Sequence, residues 1–159
     1  MRRLILMRHG EAENEGAAGD KARRLTSAGI SAVLRCGQEI RAKGFSPELA
    51  LSSDAERAMQ TLSVAMRGGA LTGISCKSLR LLYLADTEAI IAQCAETDDT
   101  ISTILAIGHN PGWSDCVVHL TGVPVSLGTA EAALIEHPGD FWAKCLFDPQ
   151  AWKLKNLIP

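Results

Sequence analysis

Short apolar segments alternate with segments of helical periodicity along most of this chain. The alternation predicts strands at about residues 3–8, 48–52, 74–79, 103–108, 131–136 and 142–147. Helices are expected between most of them, from about Thr26 to Lys43, from Ser53 onward, over about 85–97, and from Asn110 onward. Strands and helices in alternation are typical of a layered α/β fold with a mostly parallel sheet.

Local signals predict where several of these elements begin and end. Thr26 can cap the first helix and Gly44 can end it, and Ser53 to Glu56 has the form of a capping box for the second. Asn110 followed by proline suits the start of the fourth helix. Residues 137–140 read His-Pro-Gly-Asp, a turn signal. The last two predicted strands should therefore form a hairpin, which would make the sheet mixed at one edge.

Composition limits the classes of protein to which the chain can belong. Its 159 residues fit one domain, expected over 1–159, and 47% of them are hydrophobic, which supports a full core. A net charge of −2 argues against nucleic acid and anionic membrane surfaces as partners. No apolar stretch approaches the roughly 20 residues of a membrane span. Five scattered cysteines without a C-x-x-C pair suggest free thiols in a reducing cytoplasm.

Residues directly after the first predicted strand suit chemistry on a phosphate. The apolar run Leu4 to Met7 is followed by Arg8, His9 and Gly10. Arginine offers a planar fork of donors to phosphate oxygens, and a neutral imidazole can attack phosphorus. Glycine permits a sharp turn and the close approach of a ligand. We therefore expect His9 to be a nucleophile and Arg8 to bind the phosphoryl group.

Two further patches with similar chemistry follow later predicted strands. Residues 52–61 place Arg57 in the first turn of a helix, where backbone amides also attract anions, and residues 107–112 contain His109, a donor to developing charge. Ligands bind at the carboxyl ends of the strands in such sheets. All three patches should therefore meet in one site.

The spacing of these patches resembles that of the histidine phosphatase superfamily, the phosphoglycerate-mutase-like proteins. The matching strings are R-H-G at residues 8–10, S-S-x-x-x-R-A-x-x-T at 52–61 and G-H-N-P-G at 108–112, together with R-x-L-T-x-x-G beginning at Arg23. Within that family the chain looks most similar to the short bacterial phosphohistidine phosphatases. The resemblance implies a three-layer α/β/α sandwich with a mostly parallel, mixed sheet. It also implies phosphate-side roles for Arg23 and Asn14, with Gly10 and Glu11 beside the substrate.

A general acid for the leaving group is not evident in the sequence. Some relatives carry an aspartate directly after the second motif histidine, where this chain has Asn110. Another branch places its acid in the segment that contains Asp86 and Glu88, so both are candidates, and Glu11 and Glu131 are further carboxylates. An alkoxide needs a proton from a placed acid, whereas an imidazole departs more easily. The gap therefore favours phosphohistidine on a protein as the substrate.

Other phosphate chemistries lack the residues that they require. No cysteine precedes an arginine at the C-x5-R spacing, and neither a P-loop nor a G-x-G-x-x-G string is present. No cofactor or metal is expected. Two alternatives stay open: a phosphomonoesterase for small phosphorylated molecules, and a phosphate-binding module without turnover.

Overall fold

The computed structural model describes residues 1–159, and six strands form its single sheet. The strands are β1 (Arg2–Arg8), β2 (Leu49–Ser53), β3 (Ser75–Leu79), β4 (Thr103–Gly108), β5 (Ala132–His137) and β6 (Lys153–Ile158). Their spatial order is β3-β2-β4-β1-β5-β6. The first four are mutually parallel, whereas β5 runs antiparallel to both β1 and β6. The sheet is therefore mostly parallel and mixed at one edge, as the sequence predicts.

Five α-helices cover the two faces of the sheet. They are α1 (Ser27–Ala42), α2 (Glu56–Gly68), α3 (Thr87–Ala95), α4 (Gly112–Thr121) and α5 (Trp142–Leu146), and 3₁₀ turns occur at Asp20–Ala22 and Arg80–Leu82. Helices α1 and α2 pack together, and α3 packs with α4 and α5. The two groups belong to separate hydrophobic clusters, one on each face. The architecture is the expected three-layer α/β/α sandwich.

The central strands are apolar throughout because both of their faces are covered. Leu4, Ile5, Leu6 and Met7 of β1 are fully buried, and they alternate between the two clusters. Such continuous apolar runs are typical of parallel strands with helices on both sides. The run that led to the prediction of a strand before Arg8 is thus the centre of the sheet.

The predicted strand at 142–147 is wrong, because this segment forms helix α5. Trp142, Cys145 and Leu146 are its buried residues, at spacings of three and four that place them on one helical face. On the side away from β1, the strand that pairs with β5 is β6, which the sequence reading did not include. The predicted turn at 137–140 is followed by α5, and the strand that pairs with β5 begins only after this helix.

Of four predicted helix ends, two are confirmed and two are wrong. The Thr26 side chain accepts a hydrogen bond from the Gly29 N–H, and Gly44 follows α1 with a φ of 78°. Helix α2 begins at Glu56 rather than Ser53, and its N-cap Ala55 offers no side-chain bond, so the capping box is not formed.

Helix α4 begins at Gly112, so Pro111 rather than Asn110 is its N-cap. Asn110 instead accepts hydrogen bonds from the backbone and side chain of Ser114.

No helix in the structure combines the length and the apolar character needed to span a membrane. All five cysteines are free thiols, and only Cys76 is exposed.

Candidate active site

The three sequence patches meet at the carboxyl ends of three neighbouring strands. Strands β2, β4 and β1 lie side by side and end at Ser53, Gly108 and Arg8. Beyond these ends lies a cleft of about 580 Å³. Its lining consists of Arg8, His9, Glu11, Ala12, Glu15, Asp20, Arg23, Arg57, Tyr83, Leu84, His109, Asn110 and Thr129. The sheet therefore brings together the residues that the sequence suggested.

His9 presents an unprotonated ring nitrogen to this cleft. Its Nδ1 lies 2.8 Å from the Gly10 carbonyl oxygen, which can only accept, so Nδ1 carries the proton. Nε2 is therefore unprotonated, and the Arg57 Nε–H donates to it over 3.3 Å. Burial, with the charges of Arg57, Arg8 and Arg23, lowers the pKa of His9 to about 4. The imidazole is thus neutral and oriented at neutral pH.

Arg57 links the two histidines of the cleft. It is only 3% exposed, and its Nη2 lies 3.2 Å from Nδ1 of His109. It lies in the first turn of α2, a position that places its guanidinium between the ends of β1 and β4. The Thr61 hydroxyl, one turn later, donates to the Arg57 carbonyl and accepts from the Gly10 N–H over 3.0 Å. Helix α2 is therefore tied directly to the loop that follows β1.

His109 is held by hydrogen bonds from both sides of its ring. Its Nδ1 accepts from Arg57, so Nε2 carries the proton and donates to the Ser53 hydroxyl over 2.7 Å. Burial and the charge of Arg57 lower the pKa of His109 to about 3. Ser53 thus orients His109, although the sequence reading assigned it to a helix cap.

Arg8 lines the same cleft and contacts a different loop from Arg57. Its Nη1 donates to the Leu127 carbonyl over 3.1 Å, while its buried Nε has no hydrogen-bond partner. Asn110 donates to the same carbonyl over 2.7 Å. Burial lowers the pKa of Arg8, and the negative charge of Glu131 partly offsets this lowering. The Oε2 atom of Glu131 also accepts a hydrogen bond from the Gly128 N–H. Glu131 therefore stabilises the part of the cleft that contains Arg8.

Two residues at the mouth of the cleft were missed by the sequence reading. Asp20 accepts hydrogen bonds from Arg57 and from Arg23 Nη1, each over 3.1 Å, and a third from the Tyr83 hydroxyl. These bonds, that of Tyr83 above all, lower the pKa of Asp20 to about 2, so it is ionised. Arg23 reaches the cleft as predicted, and its Nε also donates to the Glu13 carbonyl. No motif pairs Asp20 with Tyr83, because 62 residues separate them and only the fold brings them together.

Three of the sequence candidates lie outside the cleft. Asn14 is exposed and does not line it. Asp86 caps α3 by accepting from the Ala89 N–H, and Glu88 lines a separate groove beside His119 and Phe147. The structure therefore brings neither candidate acid near His9.

Gly10 and Glu11 lie beside His9, but packing and local contacts account for both. A Cβ on Gly10 would come within 2.7 Å of Val33 in α1, so close packing of the helix requires glycine there. Glu11 lines the cleft, and its Oε1 accepts from the Thr26 hydroxyl over 2.9 Å.

The site combines a neutral imidazole with three arginines. Arg8, Arg23 and Arg57 line the same cleft as the unprotonated Nε2 of His9, a donor set that suits a phosphoryl group. The cleft is also lined by three carboxylates, those of Glu11, Glu15 and Asp20. No three His, Cys, Asp or Glu side chains group closely enough to hold a metal ion. The arrangement can bind a phosphoryl group, stabilise its charge and transfer it to a nitrogen atom.

Comparison with known proteins leads to the same chemistry. The model of the histidine phosphatase superfamily (branch 1) matches residues 4–99. An uncharacterised chloroplast protein of Arabidopsis thaliana is 32% identical over 99% of this chain and 77% of its own length. Among solved structures, a candidate phosphohistidine phosphatase SixA from Nakamurella multipartitia superposes with a TM-score of 0.85 and 25% identity, covering 99% of this chain and 95% of that one.

A candidate alpha-ribazole-5'-P phosphatase from Escherichia coli has the same fold, with a TM-score of 0.72 and 18% identity over 100% of this chain and 98% of that one. The fold, the convergence of the three motifs beside His9, and a family match over more than half of the sequence lead to one assignment. This chain belongs to the histidine phosphatase superfamily.

Proposed function

We propose that this phosphatase removes the phosphoryl group from phosphohistidine on a protein, through a covalent intermediate on His9, with residues 1–159 acting as one domain. The observation that carries the proposal is the unprotonated Nε2 of a neutral, buried His9 in a cleft with three arginines. With its other nitrogen fixed by the backbone, this imidazole can attack phosphorus once the Arg57 Nε–H turns from Nε2 to the phosphoryl oxygens.

The reaction would proceed in two balanced steps. First, Nε2 of His9 forms a bond to phosphorus while the bond from phosphorus to the substrate imidazole breaks, and that imidazole takes a proton from water. Second, a water molecule attacks the phosphorus of phosphorylated His9 while the bond from phosphorus to Nε2 breaks, which releases inorganic phosphate and restores the neutral imidazole. The proton that this water loses returns to solvent and replaces the one taken in the first step. Arg8 and Arg57 would stabilise the charge on the phosphoryl oxygens in both steps.

The protonation states in the cleft favour a leaving group that needs little help. Asp20 is ionised, with a pKa of about 2, and therefore cannot donate a proton at neutral pH. Asn110 stands where some relatives have an acid, and Asp86 and Glu88 lie outside the cleft. An imidazole leaves without a placed acid more readily than an alkoxide does. This difference supports phosphohistidine over an alkyl ester.

A second candidate function is a phosphomonoesterase for small phosphorylated molecules. The observation that favours it is the pair of carboxylates of Glu11 and Glu15, which line the cleft and could protonate a leaving oxygen. Exposed Leu84 at the rim would contact either kind of substrate.

Substrate comparison separates the two functions. The measurement is kcat/KM for a phosphohistidine-bearing protein and for phosphate esters of rising leaving-group pKa. We expect efficient turnover of phosphohistidine and a steep fall along the ester series, in which each tenfold loss corresponds to about 1.4 kcal/mol of barrier.

Substitutions provide the matched controls. Glu11→Gln and Glu15→Gln should leave phosphohistidine turnover within about twofold, as should Glu88→Gln outside the cleft. A flat ester series, with ester turnover lost in Glu11→Gln or Glu15→Gln, would identify a phosphomonoesterase instead.

A further inference from the structure

Asp20 holds one edge of the Arg57 guanidinium through two separate groups. Its backbone carbonyl accepts from Nη1 over 2.9 Å, and its carboxylate accepts from Nη2 over 3.1 Å. The Tyr83 hydroxyl donates to the same carboxylate oxygen, and Arg23 donates to the other one. Asp20 is therefore fixed from several sides while it holds Arg57.

The other edge of the guanidinium faces the reacting atoms. Its Nε donates to Nε2 of His9, and Nη2 also contacts Nδ1 of His109. A phosphoryl group that enters between the histidines would accept hydrogen bonds from these Arg57 donors in their place. The Nε2 lone pair of His9 would then be available to attack phosphorus. The contacts with Asp20 lie on the far edge and can persist while the substrate binds.

We propose that Asp20, supported by Tyr83, is a positioning residue that directs the Nε and Nη2 edge of Arg57 at the phosphoryl group. The inference rests on the proposed transfer to His9. Asp20 fits the role by charge as well, because its single carboxylate accepts from both Arg57 and Arg23 and so holds two guanidinium groups close together at the cleft. Arg57 aligned in advance loses less conformational freedom when the transition state forms.

The same turn has a second anchor that provides a matched control. Lys21, the next residue, donates to Asp54 over 2.8 Å, and its Nζ lies 4.7 Å from the centre of the Tyr83 ring. Asp54 thus ties down the Asp20–Ala22 turn without touching an arginine of the cleft. Loss of either aspartate side chain loosens the turn, but only Asp20→Ala also removes a hydrogen bond to Arg57, that of the carboxylate to Nη2, while the backbone carbonyl can still accept from Nη1.

The test compares Asp20→Ala, Tyr83→Phe and Asp54→Ala. In Asp20→Ala we expect kcat to fall about 10- to 100-fold, because small misplacements of catalytic groups are costly. The inhibition constant of inorganic phosphate should stay within about twofold or decrease, since a negative charge has left the site. Tyr83→Phe removes only the hydroxyl and should lower kcat by about three- to tenfold. Asp54→Ala should keep kcat within about twofold.

A second readout does not depend on activity. The Arg57 Nε–H resonance of the ligand-free protein, followed by ¹H–¹⁵N NMR, should be sharp in the wild type and in Asp54→Ala, and broadened in Asp20→Ala. Equal loss of kcat in the two alanine variants, or an Arg57 resonance unchanged in Asp20→Ala, would overturn the inference. If the wild type releases no phosphate from any substrate, the proposed function fails, and the resonance alone decides the role of Asp20.

Discussion

Arg57 is the residue on which the contacts of the cleft converge. It donates to His9, contacts His109 and is held by Asp20, and it is almost completely buried. The planar guanidinium group can contact all three residues at once through its separate N–H groups, whereas the compact ammonium group of a lysine cannot. The hydrogen bonding of His9 therefore depends on a side chain 48 residues away in the sequence.

Loss of the Arg57 fork should be costly for activity. We expect Arg57→Ala to lower kcat/KM by about 100- to 1,000-fold, because preorganised donors supply much of the stabilisation of developing charge. Arg57→Lys should recover only part of this loss. Arg67→Ala, an exposed position on the same helix, is the control and should stay within about twofold. A loss below about threefold in Arg57→Ala would show that the fork is dispensable.

The two buried histidines should make the fold sensitive to acid. Their pKa values in the folded state, about 4 for His9 and about 3 for His109, lie below the ordinary value of 6.5. The unfolded chain therefore binds more protons below pH 6.5, and stability falls as the pH drops from there towards the folded-state values. Between pH 7.5 and pH 5 the loss should be on the order of 1–2 kcal/mol per histidine.

Urea unfolding at these two pH values measures the effect. His109→Gln should reduce the difference in unfolding free energy between them, whereas His119→Gln, on the exposed side of α4, should leave it unchanged. Equal pH dependence in wild type and His109→Gln would contradict the assigned protonation states.

At the scale of elements, close backbone contacts hold the helices against the loops of the site. A Cβ at Gly29, in the first turn of α1, would lie 2.2 Å from the Glu11 carbonyl oxygen. Backbone atoms must then shift, so Gly29→Ala should lower the free energy of unfolding by about 2 kcal/mol. Gly16→Ala, where no atom lies within 4 Å, should change it by about 0.5 kcal/mol or less. Similar values for both in chemical denaturation would contradict this packing.

Elements with strong patterns were predictable, and short ambiguous ones were not. Strand β1 was identified from its apolar run, and helix α1 from the helical spacing of its apolar residues together with the capping residues at its ends. Residues 142–147 were assigned wrongly because a short apolar run does not distinguish a strand from a buried helical turn. Strand β6 was missed because its sequence contains two lysines and an asparagine, a composition that is typical of an exposed segment rather than of a strand in a sheet.

At the scale of the whole molecule, the sheet order determines which residues meet. Motifs after β1, β2 and β4 could be assigned to one site from sequence, since parallel strands end at a common edge. The Asp20–Tyr83 contact could not be predicted from sequence, because it joins two loops that come together only when helices have packed on both faces of the sheet. The acids expected at Asp86 and Glu88 are directed elsewhere for the same reason.

The arginines of the assembled cleft predict activity without a metal. Arg8, Arg23 and Arg57 supply positively charged donors for the phosphoryl oxygens, which is a task that divalent cations perform in many other phosphoryl-transfer sites. Turnover should therefore persist within about twofold after incubation with EDTA and removal of the chelator. Activity lost in EDTA and restored by Mg²⁺ or Zn²⁺ would contradict this account.

Trapping the intermediate tests the central claim most directly. Brief incubation with a ³²P-labelled substrate, followed by denaturation in base and peptide mapping, should place an acid-labile, base-stable phosphoryl group on His9. His9→Ala should fold normally, show no label and have no measurable turnover, whereas exposed His119→Ala should be labelled like the wild type. Label on a different residue, or turnover in His9→Ala close to that of the wild type, would contradict the account.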